Sequence, residues 1–140
     1  MNKEVNKKLR VLWESMTSKP MPRIEVFNVS KEELVELCKR YMNATSWKKT
    51  LLYVNKEHGL FLDGVEIDEK YLKDDRVIDK LLKIPNFEEL FASVVGGLVT
   101  KTPKFFLIAI YRDQNEKEWA KTLIHELRHI INWGIENKQP

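Results

Sequence analysis

Cysteine is almost absent: Cys38 is the single one among 140 residues, which excludes an internal disulfide and any cysteine-based zinc cluster. Its neighbours, Glu36-Leu-Cys-Lys-Arg40, have helical spacing, and the role expected for the thiol is that of a small buried residue. Glycine and proline are sparse, five of each, too few for a linker-like or low-complexity chain. No run approaches the roughly 18 consecutive apolar residues of a membrane-spanning helix. The basic first ten residues are followed by neither an apolar run nor a small-residue cleavage site, so the expectation is a cytoplasmic chain without a membrane partner. Histidine is also scarce, three in all, and two of them fall within one short segment.

What is present is the balance of a folded protein: 43% hydrophobic and 32% charged residues supply enough apolar surface for a core, unlike a disordered tail. A chain of this length buries its apolar surface best in one core, which predicts a single domain over 1–140. The formal net charge of +3 is uneven, with residues 1–50 net basic and 51–100 net acidic. Solvated helix faces account for that asymmetry as well as an acidic partner does.

Periodicity places the elements. Val5, Leu9, Leu12, Trp13 and Met16 form one helical stripe that ends at Thr17-Ser-Lys-Pro-Met-Pro22. Arg23–Val29 reads as a strand, and Ser30-Lys-Glu-Glu33 has the capping-box spacing of a helix carrying Leu34, Val35, Cys38, Tyr41 and Met42 inward. Thr50–Val54 and Leu60–Leu62 flank Asn55-Lys-Glu-His-Gly59 in the pattern of a hairpin with His58 at its tip, and Asp63-Gly64 marks a further turn before Val65-Glu-Ile67. Asp68 is the expected cap of a helix running to Pro85, and Asn86-Phe-Glu-Glu89 of another that buries Phe87, Leu90, Phe91, Val94, Val95 and Leu98. Gly96-Gly97 follows a helix instead of a strand and lacks the other glycines of a nucleotide fingerprint, so a helix end or a close packing contact is expected there. Lys104–Tyr111, apolar on both faces, predicts an interior strand. The last helix begins near Glu116.

That helix carries Thr122-Leu-Ile-His-Glu-Leu-Arg-His-Ile-Ile-Asn-Trp-Gly134, in which His125, Glu126 and His129 stand in the order H-E-x-x-H. At 100° per residue, Trp119, Ala120, Leu123, Ile124, Leu127, Ile130 and Ile131 gather on one side. His125 and His129 lie nearly opposite, among Glu118, Thr122 and Asn132, with Glu126 on the boundary. The apolar side can therefore be buried while both imidazoles face open space. Residues four apart lie about 6 Å along the axis on one face, so two imidazoles can converge on one ion. A catalytic zinc takes three protein ligands and leaves its fourth position to water, whose pKa falls to about 7. Glu126, turned by 100° from His125, is placed to accept that water's proton and to return it to a leaving amine.

At these residues the chain resembles the zincin metallopeptidases, and among them the small single-domain gluzincins. The likeness covers about twenty residues from Trp119 on. It implies an α+β zincin-like fold: a small twisted, mostly antiparallel sheet, a backing helix and a C-terminal active-site helix. It also implies His125 and His129 as zinc ligands, Glu126 as general base, and a peptide or protein substrate. The family pattern breaks at the third ligand. Gluzincins take a glutamate from a separate helix well downstream, for which the residues after His129 leave no room. Metzincins continue with a glycine and a third histidine or aspartate, where this sequence has Asn132 and Ile135.

Glu136 is the carboxylate after the motif, and an unbroken helix would carry it about 10 Å beyond His129 along the axis. A left-handed reversal at Gly134 would return it to the ion, which makes Glu136 the candidate third ligand. His58 and Glu118 are the other candidates within the chain, Glu118 suffering the same length objection two turns before His125. The expectation is a zinc-dependent hydrolase of peptide bonds, latent if a terminal segment fills its cleft. Its rivals are an inactive zincin-fold interaction protein and a nucleic-acid-associated domain. The last is suggested by the basic N-terminal third and by Trp13 and Trp47 near Lys and Arg, although no nucleic-acid motif accompanies them and both tryptophans are expected in or beside the core.

Overall fold

A computed structural model describes residues 3–58, 61–62, 65–66 and 70–136, with backbone alone for 61–62, 65–66, 71 and 136. In chain order the elements are α1 (Lys3–Met16), β1 (Ile24–Val29), α2 (Lys31–Tyr41), α3 (Ala44–His58), β2 (Phe61–Leu62), β3 (Val65–Glu66), a 3-10 turn (Tyr71–Lys73), α4 (Asp75–Leu82), α5 (Phe87–Val95), β4 (Gly97–Lys101), β5 (Phe106–Tyr111), α6 (Glu116–Ile131) and α7 (Trp133–Glu136). The class is α+β. The chain divides into two compact units, one formed by residues 1–29 with 97–140 and the other by residues 30–96. Among the described residues no helix is long and apolar enough to cross a membrane.

The first unit is built on a three-stranded sheet of order β1-β5-β4. The sheet is mixed, not mostly antiparallel: β1 runs parallel to β5, with Ile24 opposite Phe106 and Val29 opposite Tyr111, while β4 runs antiparallel, with Gly97 opposite Ile110 and Lys101 opposite Phe106. Apolar periodicity identifies strands but carries no sign for pairing direction, which depends on the connections. β5 is the interior strand that its two apolar faces predict. One face of the sheet, Ile24, Phe106, Ile108 and Ile110, forms a continuous core with Leu9 and Trp13 of α1 and with Leu123, Leu127 and Ile130 of α6.

Helix α1 packs its apolar stripe into this core. Its C-terminal turn is tied down by the Trp13 indole N–H, which donates to the Lys19 carbonyl at 2.7 Å. Lys19 in turn donates through Nζ to the Ile131 carbonyl at 3.1 Å, placing a cation at the negative end of α6. The Trp133 ring of α7 meets Phe106 edge-on at 5.4 Å.

The second unit corrects the expectation over 50–62. Thr50–Val54 is not a strand: Ala44–His58 is one helix. Asn43 Oδ1 accepts from the Ser46 backbone N–H at 2.8 Å and starts it. Trp47, Leu51 and Val54, spaced i, i+4, i+7, are buried along it, and that shared face outweighs the strand propensity of Thr50, Tyr53 and Val54. A hairpin does form, but one step later, as β2 paired antiparallel to β3. The Asp63-Gly64 turn and Asp68 lie outside the described residues.

Capping differs as well. The Ser30 capping box is present, but α4 starts from Asp74, whose carboxylate accepts from Arg76 N at 2.9 Å. Asn86 precedes α5 in a left-handed conformation with no side-chain cap bond. Leu98, assigned by periodicity to α5, belongs to β4. Helix α5 packs on α2, α3 and α4, and its Phe91 meets both Trp47 and Phe87 at 5.8 Å. Cys38 is buried, as expected.

Because Leu127 is fully buried beneath the His125–His129 turn, Leu127→Ala is expected to cost about 2–5 kcal/mol of stability. Urea denaturation of the two proteins measures it, and a loss below 1 kcal/mol would contradict this packing.

Candidate metal centre on α6

Helix α6 begins at Asn115, whose Oδ1 accepts from the Glu118 N–H at 2.8 Å, satisfying one of the free N–H groups of the first turn. One turn in, Trp119 donates through its indole N–H to Asn28 Oδ1 at 2.7 Å, linking the helix to the end of β1. With Leu123, Leu127 and Ile130 buried in the core, rotation of the helix about its own axis is set. Moving round that axis from the core, the residues met are Glu126, then Thr122, then His129 and finally His125.

Glu126 is only 5% exposed and is the one buried charged residue among those described. It lies toward β4, its Cγ 3.8 Å from the point where a Cβ on Gly97 would stand. That Cβ would also come within 2.7 Å of Thr122 Cγ2 and 2.9 Å of the Ala109 carbonyl oxygen, so only glycine lets α6 and β4 approach this closely. The preceding Gly96, at φ 70°, ends α5 by donating its N–H to the Ala92 carbonyl at 3.1 Å. Both expectations for the glycine pair, a helix end and a close contact, are met. The sequence did not show that the close contact would be with Thr122 and the Ala109 carbonyl, beside the motif's glutamate; the Gly-Gly pair alone was the available signal.

The Thr122 hydroxyl lies 2.9 Å from the Glu118 carbonyl and 3.1 Å from Gln114 Oε1. Gln114 Nε2 also donates to the Tyr111 carbonyl at 2.9 Å. The loop between β5 and α6 is thereby held against the first turns of the helix, on the flank that carries the histidines.

His125 is exposed and His129 half-buried. Their Nε2 atoms stand 3.1 Å apart, with ring centroids 4.7 Å apart and planes at 86°. Two imidazoles at about 2.05 Å from a tetrahedral zinc would have their nitrogens about 3.3 Å apart. The observed separation is within a few tenths of an ångström of that value. The same separation is a hydrogen-bond distance, with one nitrogen donating and the other accepting, and it requires at least one neutral ring. Metal binding requires both to be neutral.

Among the described residues no group of three or more His, Cys, Asp and Glu side chains is set to hold a metal ion. His58 is not a hairpin tip but the last residue of α3, in the second unit, with Nε2 3.1 Å from Ser93 Oγ. Glu118 is exposed and pairs with Lys121 at 3.5 Å. Glu136 closes α7, and its side chain lies outside the description. Its backbone context departs from expectation: α6 stops at Ile131, with Asn132 as its C-cap, and Gly134 lies inside α7 without a positive φ. The interruption therefore falls two residues before the glycine. The unbroken helix that would carry Glu136 about 10 Å past His129 does not form.

Trp13 and Trp47 are buried, at 3% and 8% exposure, which removes the aromatic support for a nucleic-acid surface. Comparison with protein families, with curated proteins and with solved structures finds no match to this chain.

Replacing Gly97 by alanine is expected to destabilise the fold by about 1–3 kcal/mol through overpacking against Thr122 and the Ala109 carbonyl, and denaturant titration measures this. A zinc site on this pair predicts about one ion per chain in wild type and background zinc in His125→Ala and in His129→Ala, each with an unchanged circular dichroism spectrum. Retention of stoichiometric zinc in either variant would remove that histidine from the site.

Proposed function

We propose that the chain is a zinc-dependent metallopeptidase with a zincin-like architecture. The observation that carries the reading is the 3.1 Å approach of the His125 and His129 Nε2 atoms on a helix whose intervening Glu126 is turned inward beside β4. His125 and His129 would hold the ion, and Glu136, which follows the motif on α7, would take the third position. A zinc ion held there supplies Lewis-acid chemistry, lowering the pKa of a water toward about 7 and polarising a peptide carbonyl.

The chain's own residues do the rest. Glu126 accepts the proton of the attacking water through its carboxylate and delivers a proton to the departing amine. Its burial between α6 and β4 restricts the carboxylate to few orientations, which is what a positioned base requires. Among the described residues strand β4 is paired on one side only, with β5. A peptide joining its other edge as an added strand would be held by main-chain hydrogen bonds, independent of its side chains. Such a peptide passes Gly97, and so the flank of α6 that carries Glu126 and the imidazoles.

Glu126→Gln keeps the size and the packing of the side chain but removes its ability to take a proton. Cleavage of a mixed peptide library by the zinc-loaded protein is expected to fall about 10²–10⁴-fold in this variant, with zinc content unchanged. Equal rates for variant and wild type would refute the assigned base. A wild type that binds zinc fully and cuts nothing would favour a noncatalytic interaction protein instead. Glu136→Ala is expected to release zinc without unfolding, measured by metal analysis beside a thermal melt; undiminished zinc would exclude Glu136 as the ligand.

A further inference from the structure

Strand β4 runs from Gly97 beside Glu126 to Lys101 at the opposite end of the sheet. Four residues at about 3.4 Å each separate these ends by about 14 Å. Because side chains alternate along a strand, Gly97, Val99 and Lys101 share the face that meets α6, in agreement with the Gly97 contact to Thr122 and with the inclusion of Val99 in the α6 core. The three positions differ in chemistry. Gly97 has no side chain, Val99 is a half-buried aliphatic, and Lys101 is exposed.

Lys101 Nζ lies 5.6 Å from the centroid of the Phe106 ring, its partner across the ladder. Among the described residues it makes no ion pair with a carboxylate. The same end of the sheet carries Arg23, whose carbonyl accepts from Phe106 N at 2.9 Å, and Lys104 in the loop before β5. Its nearby carboxylate, Glu25, is engaged by Arg23 at 3.1 Å. A strand laid along β4 would therefore meet, on the α6 face, a buried glycine beside Thr122 and Glu126, a half-buried aliphatic side chain and, at Lys101, a positive charge with no carboxylate partner among the described residues.

We infer that β4 selects extended peptides with an acidic side chain opposite Lys101, an inference that rests on the peptide-binding reading of this edge given above. Antiparallel pairing is the more stable arrangement and gives the spacing a direction. The acidic residue stands four positions N-terminal to the residue opposite Gly97, with an aliphatic residue two positions N-terminal opposite Val99. Directly opposed side chains of a ladder lie about 5 Å apart at Cβ, close enough for a carboxylate to reach the Lys101 ammonium. The contact is solvent-exposed, so its effect is modest and weakens with added salt.

The test uses the full-length, zinc-loaded protein and a peptide library whose cut sites are read by mass spectrometry. Wild type is expected to favour Asp or Glu at one fixed position on the N-terminal side of the cut by about two- to five-fold, and Lys101→Glu to turn that preference toward Lys or Arg. Cleavage without such a preference, or a preference that Lys101→Glu leaves unchanged, overturns the inference while leaving the peptidase reading intact. If wild type cuts nothing, fluorescence anisotropy decides, with Glu126→Gln and labelled peptides that differ only by Glu or Lys at that position. Tighter binding of the Glu peptide, reversed by the added Lys101→Glu change, supports the charged edge even as the hydrolytic reading fails. Equal binding of the two peptides overturns it.

Discussion

Burial of the apolar stripe of α6 against one face of the sheet is the interaction on which the candidate site depends. Leu123, Leu127 and Ile130 enter the same core as Ile108, Ile110 and Phe106, each full burial contributing about 1.5–3 kcal/mol. A rotation of the helix by one residue would expose part of this stripe at a cost of several kcal/mol, more than a hydrogen bond between two imidazoles returns. The direction in which His125, Glu126 and His129 point is therefore decided by hydrophobic packing on the other side of the helix. The chemistry is carried on a surface whose orientation the core has already set.

Local polar contacts sharpen that orientation. Asn115 caps the helix, the Trp119–Asn28 hydrogen bond ties its first turn to β1, and Lys19 donates to its last carbonyl, that of Ile131. Between these ends, Gly97 allows β4 to come so near that Glu126 is buried while His125, immediately before it, is exposed and His129, three residues after it, is half-buried. A motif of three residues thus acquires two environments from one helix. The buried carboxylate suits proton transfer from a fixed position, and the outward imidazoles suit an ion that must meet a substrate.

Four elements of the first unit were legible because their apolar residues recur at helical or strand period over long enough runs, whereas β4 was not, its Leu98 having matched the period of the helix before it. α1, β1, β5 and α6 follow from Leu9 and Trp13, from Ile24 to Val29, from Phe106 to Tyr111, and from Leu123 to Ile130. The second unit was less so. Thr50-Leu-Leu-Tyr-Val54 has strand composition, yet the helical partners of Leu51 and Val54 include Trp47, which precedes the run and changes its period. Asp68 and Asn86 show why a capping residue type alone is weak: Asp74 caps α4, and Asn86 supplies a left-handed backbone instead of a side-chain bond. The interruption at Asn132 in place of Gly134 belongs to the same class, since a glycine permits a break without requiring one.

Sequence by itself determined that His125 and His129 share a helix face, that Glu126 lies at the border of that face, and that the opposite side is apolar, because helical geometry converts spacing into angle without reference to anything else. Tertiary structure decided the rest: that the two Nε2 atoms approach to 3.1 Å, that Glu126 is buried beside Gly97, and that β4 stands last in the β1-β5-β4 order with Lys101 at the end of its α6 face. Those facts depend on rotamers, on pairing direction and on how closely two backbones approach. Each is settled by contacts between residues far apart in the chain, which no local pattern encodes.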